Sequence, residues 1–354
     1  MNKLFFISIF LLFILFNNCS FDNKTGIWGG SEEEKRRLTE LEKEQKQVLD
    51  VIKVASSENI YSKNVILKKA INLSEPKKNL SWLMSGLNHQ NFMGNIYLPN
   101  AQNIFLKKKI GKNKFSISKN ITSPLVLENN IIFSDDTGTI FNINENGKIR
   151  WKKNIYGKRY KKIYKNLTFA LNKNVIYVAD NIGFIYAIDF NNGKLFWIKN
   201  HGVPLRSNIK VLNNKIFLIN QDNRLFCVNT KDGAKIWDIR SISSFIKVQN
   251  FLSVAMPNED HVIAVNSSGD LFKANINNGT IYWSLNVSNT MLAHATDFFK
   301  SSEIVIDDGN IIFSAGSSIS SYNLTSGLTN WSQEVSTRGS PIVDGNNIFL
   351  VTEN

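Results

Sequence analysis

The stretch DFNNGKLFW, Asp189 to Trp197, decides how this chain is read. A glycine stands four places ahead of a tryptophan, and the pairing recurs along the sequence. The pairs are Gly147/Trp151, Gly193/Trp197, Gly233/Trp237, Gly279/Trp283 and Gly327/Trp331, separated by 46, 40, 46 and 48 residues. Five of the seven tryptophans fall in this one pattern, so it is a repeat and not chance.

Aligned on Trp, the units share more than two residues. Each begins with an apolar, β-branched run such as NVIYVA (Asn174–Ala179). A polar turn and a second alternating run follow, then an Asn/Asp/Ser-Gly turn and a third run ending in Trp. Such runs bounded by Gly, Asn and Asp read as antiparallel strands joined by tight hairpins. A fourth strand fits between one Trp and the next unit; SPLVL at Ser123 and SPIVD at Ser340 are two copies of it. Four strands in a repeat of 40 to 48 residues define an all-β fold, the β-propeller, with one unit per blade. Tryptophan is expected to fill the wedge between neighbouring blades in every unit, and glycine to let the hairpin turn. The ten residues of the repeat are therefore architecture, not chemistry.

Bulk properties agree. The chain has 354 residues, 43% hydrophobic and 20% charged, enough for a large globular core. The net charge of +13 accompanies a sequence rich in Asn, Ile and Phe as well as Lys, and is read mainly as a solvated basic surface. The densest basic run is Lys148 to Lys165, with nine Lys/Arg and Trp151, Tyr156, Tyr160 and Tyr164 between them. A solvated strand and inter-blade loop is the expectation there; anionic lipid or an acidic partner face comes next, and nucleic acid is not expected for an exported chain.

The ends carry further information. Lys3 precedes an apolar run from Leu4 to Phe16, too short to span a bilayer comfortably but suited to an export signal. Residues 1–18 are read as that signal, and Cys19 as the lipid-attachment site and mature N-terminus. Phe16 and Asn18 depart from the Leu and small residue usual ahead of such a cysteine. Residues 19–80 form a tether with a helix over about 31–54. Ser31 and Glu34 make a capping box there, and Glu32/Arg36 and Glu42/Lys46 are i,i+4 pairs. The propeller then occupies 81–354. SPIVDGNNIFLVTEN (Ser340–Asn354) overlays SPLVLENNIIFSDDT (Ser123–Thr137), so about five and a half blades are present and the last stops partway. Either the sequence is a fragment, or a strand around NIFLKKKI (Asn103–Ile110) closes a smaller ring.

The Gly-x-x-x-Trp signature resembles the pyrroloquinoline-quinone-type (PQQ-like) propeller repeat. SWLMSGLNHQNFM, with Trp82, Gly86 and Asn88, resembles the Trp-x-x-x-Gly-x-Asn lead-in of the same superfamily. Signal, tether, lead-in and blades in that order resemble the BamB-like lipoproteins of the outer-membrane β-barrel assembly machinery. That resemblance implies an eight-bladed, non-catalytic scaffold without cofactor, lipid-anchored at the periplasmic face of the outer membrane. Its implied partners are the central barrel-insertion subunit, the associated lipoproteins and unfolded outer-membrane proteins. In that family an Arg-bearing inter-blade loop meets the central subunit; the nearest match is VPLRSN, with Leu205 and Arg206.

The competing reading is a quinone-dependent dehydrogenase, which shares the repeat, or another periplasmic ligand-binding propeller. The calcium-type dehydrogenases need a divalent-ion site and an Asp base, and many carry adjacent cysteines. Here Cys227 is the one cysteine in the blades, within a strand-like run. Asp135, Asp136, Asp222 and Asp232 sit at turns, and His89, His201, His261 and His294 are scattered without ligand spacing. No catalytic residue and no metal site can be assembled from them.

Overall fold

The computed structural model describes residues 20–21, 28–29, 36, 39–40, 71–99, 104–115, 123–240, 252–288, 301–337 and 339–352. The expected signal and Cys19 lie outside the described residues. So does most of the expected 31–54 helix, of which Arg36, Thr39 and Glu40 are helical. The chain divides into two units, residues 1–70 and 71–354. In the first, β1 (Ser20–Phe21) pairs antiparallel with β2 (Trp28–Gly29).

The second unit is a run of antiparallel meanders. Blade 1 holds β3 (Ser81–Trp82), β4 (Leu125–Leu127), β5 (Asn130–Ser134), β6 (Ile140–Ile143) and β7 (Ile149–Lys153) in that order. Blade 2 comprises β8 (Leu167–Asn172), β9 (Val175–Asp180), β10 (Phe184–Asp189) and β11 (Leu195–Asn200). Blade 3 comprises β12 (Lys210–Leu212), β13 (Lys215–Ile219), β14 (Arg224–Asn229) and β15 (Lys235–Arg240). Blade 4 comprises β16 (Ser253–Ala255), β17 (His261–Val265), β18 (Asp270–Asn275) and β19 (Ile281–Asn286). Blade 5 comprises β20 (Val305–Asp307), β21 (Asn310–Ala315), β22 (Ser318–Asn323) and β23 (Thr329–Glu334), and the pair β24 (Ile342–Asp344) and β25 (Asn347–Phe349) follows. Among the described residues these make five blades and a partial sixth, as the repeat spacing predicts.

The burial pattern follows from stacking blade on blade. The two middle strands are covered on both faces, so VIYVA of β9 and FIYAI of β10 are buried almost throughout. Outermost strands such as β11 are largely exposed. Inner strands of neighbouring blades pack on one another, β4 on β8, β8 on β12, β13 on β16 and β20 on β24, so these strands ring the propeller axis. The apolar core is a series of inter-blade layers: Val178, Tyr186 and Ile188 join Trp151, for example, while Phe217 and Cys227 pack with Val262, Phe272 and Trp237. Cys227 is a buried free thiol, pushed up to about 12 by desolvation.

Tryptophan does not end its strand, as the sequence reading expects; two or three residues follow it in every blade. A β-bulge immediately follows the residue paired with each Trp, at Asn142/Ile143, Ala187/Ile188, Cys227/Val228, Lys273/Ala274 and Ser321/Tyr322. A bulge re-aims the side chain beside it. In four blades the indole crosses to the next blade and donates to a backbone carbonyl there. Trp151 reaches Phe190 O at 2.9 Å, Trp197 Thr230 O at 2.9 Å, Trp237 Ile276 O at 3.1 Å and Trp283 Leu324 O at 3.3 Å.

Trp331 packs between blade 5 and the partial blade. It stands opposite Ser321 beside the same bulge, but its indole donates to no carbonyl among the described residues. The acceptor in the other blades lies next to the turn between the third and fourth strands. The partial blade is described only as the pair β24 and β25, so that turn is not among the described residues. Trp331 is half-buried instead, packed with Val335, Ile348 and Leu350 on the cluster of Val305, Ile312, Ile319 and Val343.

The motif glycine completes the inter-blade contact from the far side. Gly193 has φ +71°, as its turn requires, but it also lies under the indole of the preceding blade. A Cβ on Gly193 would stand 2.7 Å from Cε3 of Trp151. Gly233, Gly279 and Gly327 meet Trp197, Trp237 and Trp283 in the same way. Over Gly147 the side chains of Leu106 and Lys108 lie in place of an indole. The NIFLKKKI segment therefore covers the flank of blade 1 without forming a strand among its described residues. At the other end, Ser74 donates from N and Oγ to the Asp344 carboxylate at 2.8 and 2.5 Å, and Asn347 Nδ2 donates to Asn72 O at 2.9 Å. Residues 72 and 74 supply these hydrogen bonds to the partial blade.

Replacing Gly233 by Ala combines a strained φ with a Cβ 2.4 Å from Cζ3 of Trp197. Denaturant unfolding is expected to show a loss of about 2 kcal/mol or more. Trp237→Phe removes the donor to Ile276 O and is expected to cost roughly 1–3 kcal/mol. Gly202→Ala, at an open position with φ +76°, isolates the cost of φ from that of the clash.

Candidate functional site

Sequence reasoning singles out two places, the lead-in segment and the VPLRSN loop. Both turn out to be joints between blades. The lead-in begins on β3, where Trp82 pairs with Val126. It then leaves the sheet and passes along the ring of first strands. Met84 bridges to Ala170 of blade 2, and Leu171 N donates to Leu83 O at 2.7 Å. The Nε2–H of His89 donates to Val211 O of blade 3 at 2.7 Å. Met256 N of blade 4 donates to His89 O at 2.8 Å, and Ile306 N of blade 5 donates to Gln90 O at 3.0 Å. Phe92 packs on Val343 and Ile348 of the partial blade. Blades 2 to 5 and the final pair are thus touched in chain order by one short segment at the axis.

Local chemistry explains the residues used. Asn88 Oδ1 accepts from the backbone N–H of Gln90 and Phe92, and its Nδ2 donates to Phe92 O at 2.6 Å, which folds the turn. Gly86, with φ +70°, leaves room for the Asn91 side chain; a Cβ there would fall 2.1 Å from Asn91 Oδ1. Asn91 is buried, and its Nδ2 donates to Val254 O and Ile304 O of blades 4 and 5.

At the centre lies Lys210, fully buried on β12. Its ammonium donates to Ser85 O and Asn88 O at 2.7 Å each and to Asn91 Oδ1 at 2.5 Å. All three partners belong to the lead-in. Beside it, Asn208 donates to Ser85 Oγ and to Glu303 Oε1, while Ser85 Oγ donates to the same carboxylate oxygen at 3.0 Å. Burial lowers Lys210 to about 8, opposed by the charge of Glu303. Burial also lowers His89, and its neutral ring suits donation to a carbonyl. Sequence reasoning misses Lys210. Its one signal is a single charge within the otherwise apolar NIKVL run.

The VPLRSN loop joins blade 2 to blade 3. Leu205 belongs to the core, 6% exposed, and bridges to Asn220. The expectation that Leu205 meets a partner is corrected accordingly: its side chain is spent inside the fold. Arg206 is half-buried, with Nη2 donating to Gln221 Oε1 at 3.1 Å and Nε buried without a partner. Its backbone carries blade 3 to blade 4, since Arg206 N donates to Ile219 O and Leu252 N donates to Arg206 O. Ser207 adds a link the sequence did not flag, its Oγ accepting from Ile219 N at 2.7 Å. Ser302 repeats the geometry in blade 5, accepting from Ser314 N at 3.0 Å.

The turn aspartates serve backbone N–H groups. Asp135 Oδ1 accepts from Thr137 and Thr139, and Asp180 Oδ1 from Ile182, Gly183 and Phe184. Tyr156 OH donates to Asp180 Oδ2 at 2.5 Å. The described histidines are separate, His89 at the axis and His201 and His261 in blades 2 and 4, and His294 lies outside the described residues. Among the described residues no three His, Cys, Asp or Glu side chains gather as a metal set.

Blades of this pattern define the class: a propeller of PQQ-type repeats. The family model described as "Outer membrane protein assembly factor BamB" matches residues 136–354, and the chain belongs to that family. An uncharacterized protein of Rickettsia conorii is 26% identical over 268 residues, covering 72% of this chain and 64% of that one. Outer membrane protein assembly factor BamB of Shewanella oneidensis is 27% identical over 133 residues, 34% of this chain and 32% of the relative. The chain thus spans less than two thirds of the length of either relative. Among solved structures, BamB from Moraxella catarrhalis superposes with a TM-score of 0.55 at 14% identity, covering 65% of this chain and 68% of that one. A quinohemoprotein alcohol dehydrogenase from Pseudomonas putida also gives 0.55, at 13% identity, over 76% of this chain and 51% of that one. These likenesses show a shared fold.

Lys210→Met leaves two carbonyls and the Asn91 amide without their buried donor. It is expected to cost roughly 3 kcal/mol or more in denaturant unfolding. The lysine also gives the fold a pH signature. Between pH 8 and the ordinary lysine value of 10.5 the unfolded chain holds a proton at this site that the folded chain has released. Stability contributed by this group therefore rises with pH through that window and is lost as pH falls through 8. The difference between the wild type and Lys210→Met, followed by thermal melts from pH 7 to 11, is expected to widen over that window.

Proposed function

We propose that this chain is a non-catalytic scaffold lipoprotein of the outer-membrane β-barrel assembly machinery. In this reading it binds the central insertion barrel and its lipoprotein partners, and assists folding of outer-membrane proteins. Cys19 carries the lipid that holds it at the periplasmic face of the outer membrane. The observation that carries the reading is the filled axis. Each blade from 2 to 5 places inner-strand groups on the chain's own lead-in. Lys210 donates to Ser85, Asn88 and Asn91, Asn91 donates to Ile304 O, and Glu303 accepts from Ser85 and Asn208. What remains for function is the outer surface, where loops and strand edges meet other proteins. Membership of the BamB family supports the same assignment.

Arg206 is the residue of the VPLRSN loop proposed to touch the partner. Its half-buried guanidinium, held by Gln221 through Nη2, keeps further N–H groups to donate to a partner carboxylate. A quinone enzyme on the same fold is the second reading, favoured only by the superposition on dehydrogenases.

Affinity purification of the tagged full-length chain from gently solubilised membranes tests the proposal. The insertion barrel and its lipoproteins are expected to co-purify in near-stoichiometric amounts. Arg206→Glu is expected to lower their recovery about tenfold or more while the bait stays folded and membrane-bound. An intact, membrane-bound bait that brings down none of them overturns the scaffold reading.

A further inference from the structure

The fold brings together two lysine runs that the sequence keeps apart. Residues 106–114, LKKKIGKNK, lie along the flank of blade 1, where Leu106 and Lys108 cover Gly147. The second run, Lys148 to Lys165, supplies strand β7 and the loop to blade 2. Lys114 Nζ donates to Lys161 O at 3.5 Å, and the Phe115 ring meets Tyr164 edge-on at 6.2 Å. Lys165 is buried, and it donates to Tyr160 O. The other lysines and arginines of both runs are exposed or half-exposed.

Little opposes this charge. Asp135, Asp136 and Asp180 lie nearby and act on Lys165, but they are few against the fourteen Lys and Arg of the two runs. Glu145 is exposed at the turn before β7. The ion pairs of the described residues lie elsewhere, at Asp238 with Arg224 and Lys235.

The neighbouring side chains decide what kind of anion fits. Nucleic acid would need aromatic faces free for stacking. Most aromatics of the two runs offer none: Trp151 is buried and Tyr160 packs edge-on against Phe184 with centroids 5.4 Å apart, while Phe105 just ahead of the first run is exposed. What the flank exposes is aliphatic and apolar. Ile104 and Phe105 are 75% and 73% exposed beside Lys107, and Ile163 is 43% exposed beside Lys162. Basic residues around exposed apolar side chains match a bilayer interface, with headgroups for the lysines and the acyl boundary for the apolar groups.

We infer that this flank of blade 1 lies on an anionic lipid surface. The choice of lipid rests on the exported location proposed above; contact with the assembly machinery is independent of it. The contact is peripheral and electrostatic, so it weakens with salt.

The test uses the full-length chain reconstituted into bilayer nanodiscs, with an environment-sensitive fluorophore on Asn113→Cys. Discs contain phosphatidylcholine alone, or phosphatidylcholine with phosphatidylglycerol. The chain without the added cysteine gives the background, and Cys227 is buried. A blue shift is expected only on the anionic discs, reversed by high salt. Lys109, Lys112, Lys158, Lys161 and Lys162 changed together to Gln are expected to raise the phosphatidylglycerol needed for half the shift about tenfold or more. Lys194, Lys199 and Lys231 changed to Gln, on blades 2 and 3, are expected to leave it unchanged. Equal emission on both disc types, or equal loss in both variants, overturns the inference. So does a shift that appears only when an acidic partner protein is added. None of these outcomes bears on whether the insertion barrel co-purifies.

Discussion

An indole N–H that crosses from one sheet to a carbonyl of the next is the contact around which the blades are arranged. Trp151, Trp197, Trp237 and Trp283 each make it. Three constraints meet there. The bulge behind the Trp partner turns the ring outward. The ring buries a large flat area between sheets. The following blade must offer a residue with no Cβ beneath it. Each hydrogen bond is worth only about 1 kcal/mol, but the geometry sets the spacing of these blade pairs. Gly and Trp therefore belong to different contacts than their proximity in sequence suggests. Gly193, Gly233, Gly279 and Gly327 each serve the Trp of the blade before their own.

The axis obeys a different rule. The first strands converge there, and a purely apolar lining would leave the backbone groups of the lead-in without partners. Lys210 satisfies two of them, and Asn91 of the lead-in donates in turn to Val254 O and Ile304 O, with Glu303 and Asn208 close by. Burying an ammonium is costly unless it is fully hydrogen-bonded, and all three acceptors come from one segment. The lead-in is thereby pinned to blade 3 and, through Asn91, to blades 4 and 5. The scaffold role proposed above places function on the outer surface. That is consistent with the family to which the chain belongs and with the two outward features, the Arg206 loop and the basic flank of blade 1.

Much of this was legible because a repeat exposes itself. The 40 to 48 residue period gave the blade count, the hairpins and the place of each Trp. Trp82, Gly86 and Asn88 marked the lead-in before its path was known. What the sequence could not show were contacts between residues far apart in the chain. Ser74 with Asp344, Leu106 over Gly147 and Lys210 with Asn88 are separated by 270, 41 and 122 residues. No periodicity encodes them. Trp331 carries the same motif as the other four, yet a motif cannot say what stands opposite it; its ring rests on the partial blade's apolar residues. Leu205 shows the opposite error: a motif match marked it for a partner, while its apolar side chain belongs to the layer between blades 2 and 3. The lone lysine in NIKVL was a visible clue, since a charge inside a buried strand must have partners.

The account depends most on the lead-in filling the axis, and amide hydrogen exchange of the full-length chain measures that directly. The N–H groups of Leu87, Asn91 and Phe92 all donate within the segment or to its side chains. They are expected to exchange with the slowest class, alongside the inner-strand N–H groups of Leu171, Met256 and Ile306 that donate to the lead-in. Lys210→Met is expected to speed both sets together. Exchange of residues 87–92 at the rate of an exposed loop, with the inner strands still protected, would contradict the account and reopen the axis to a ligand.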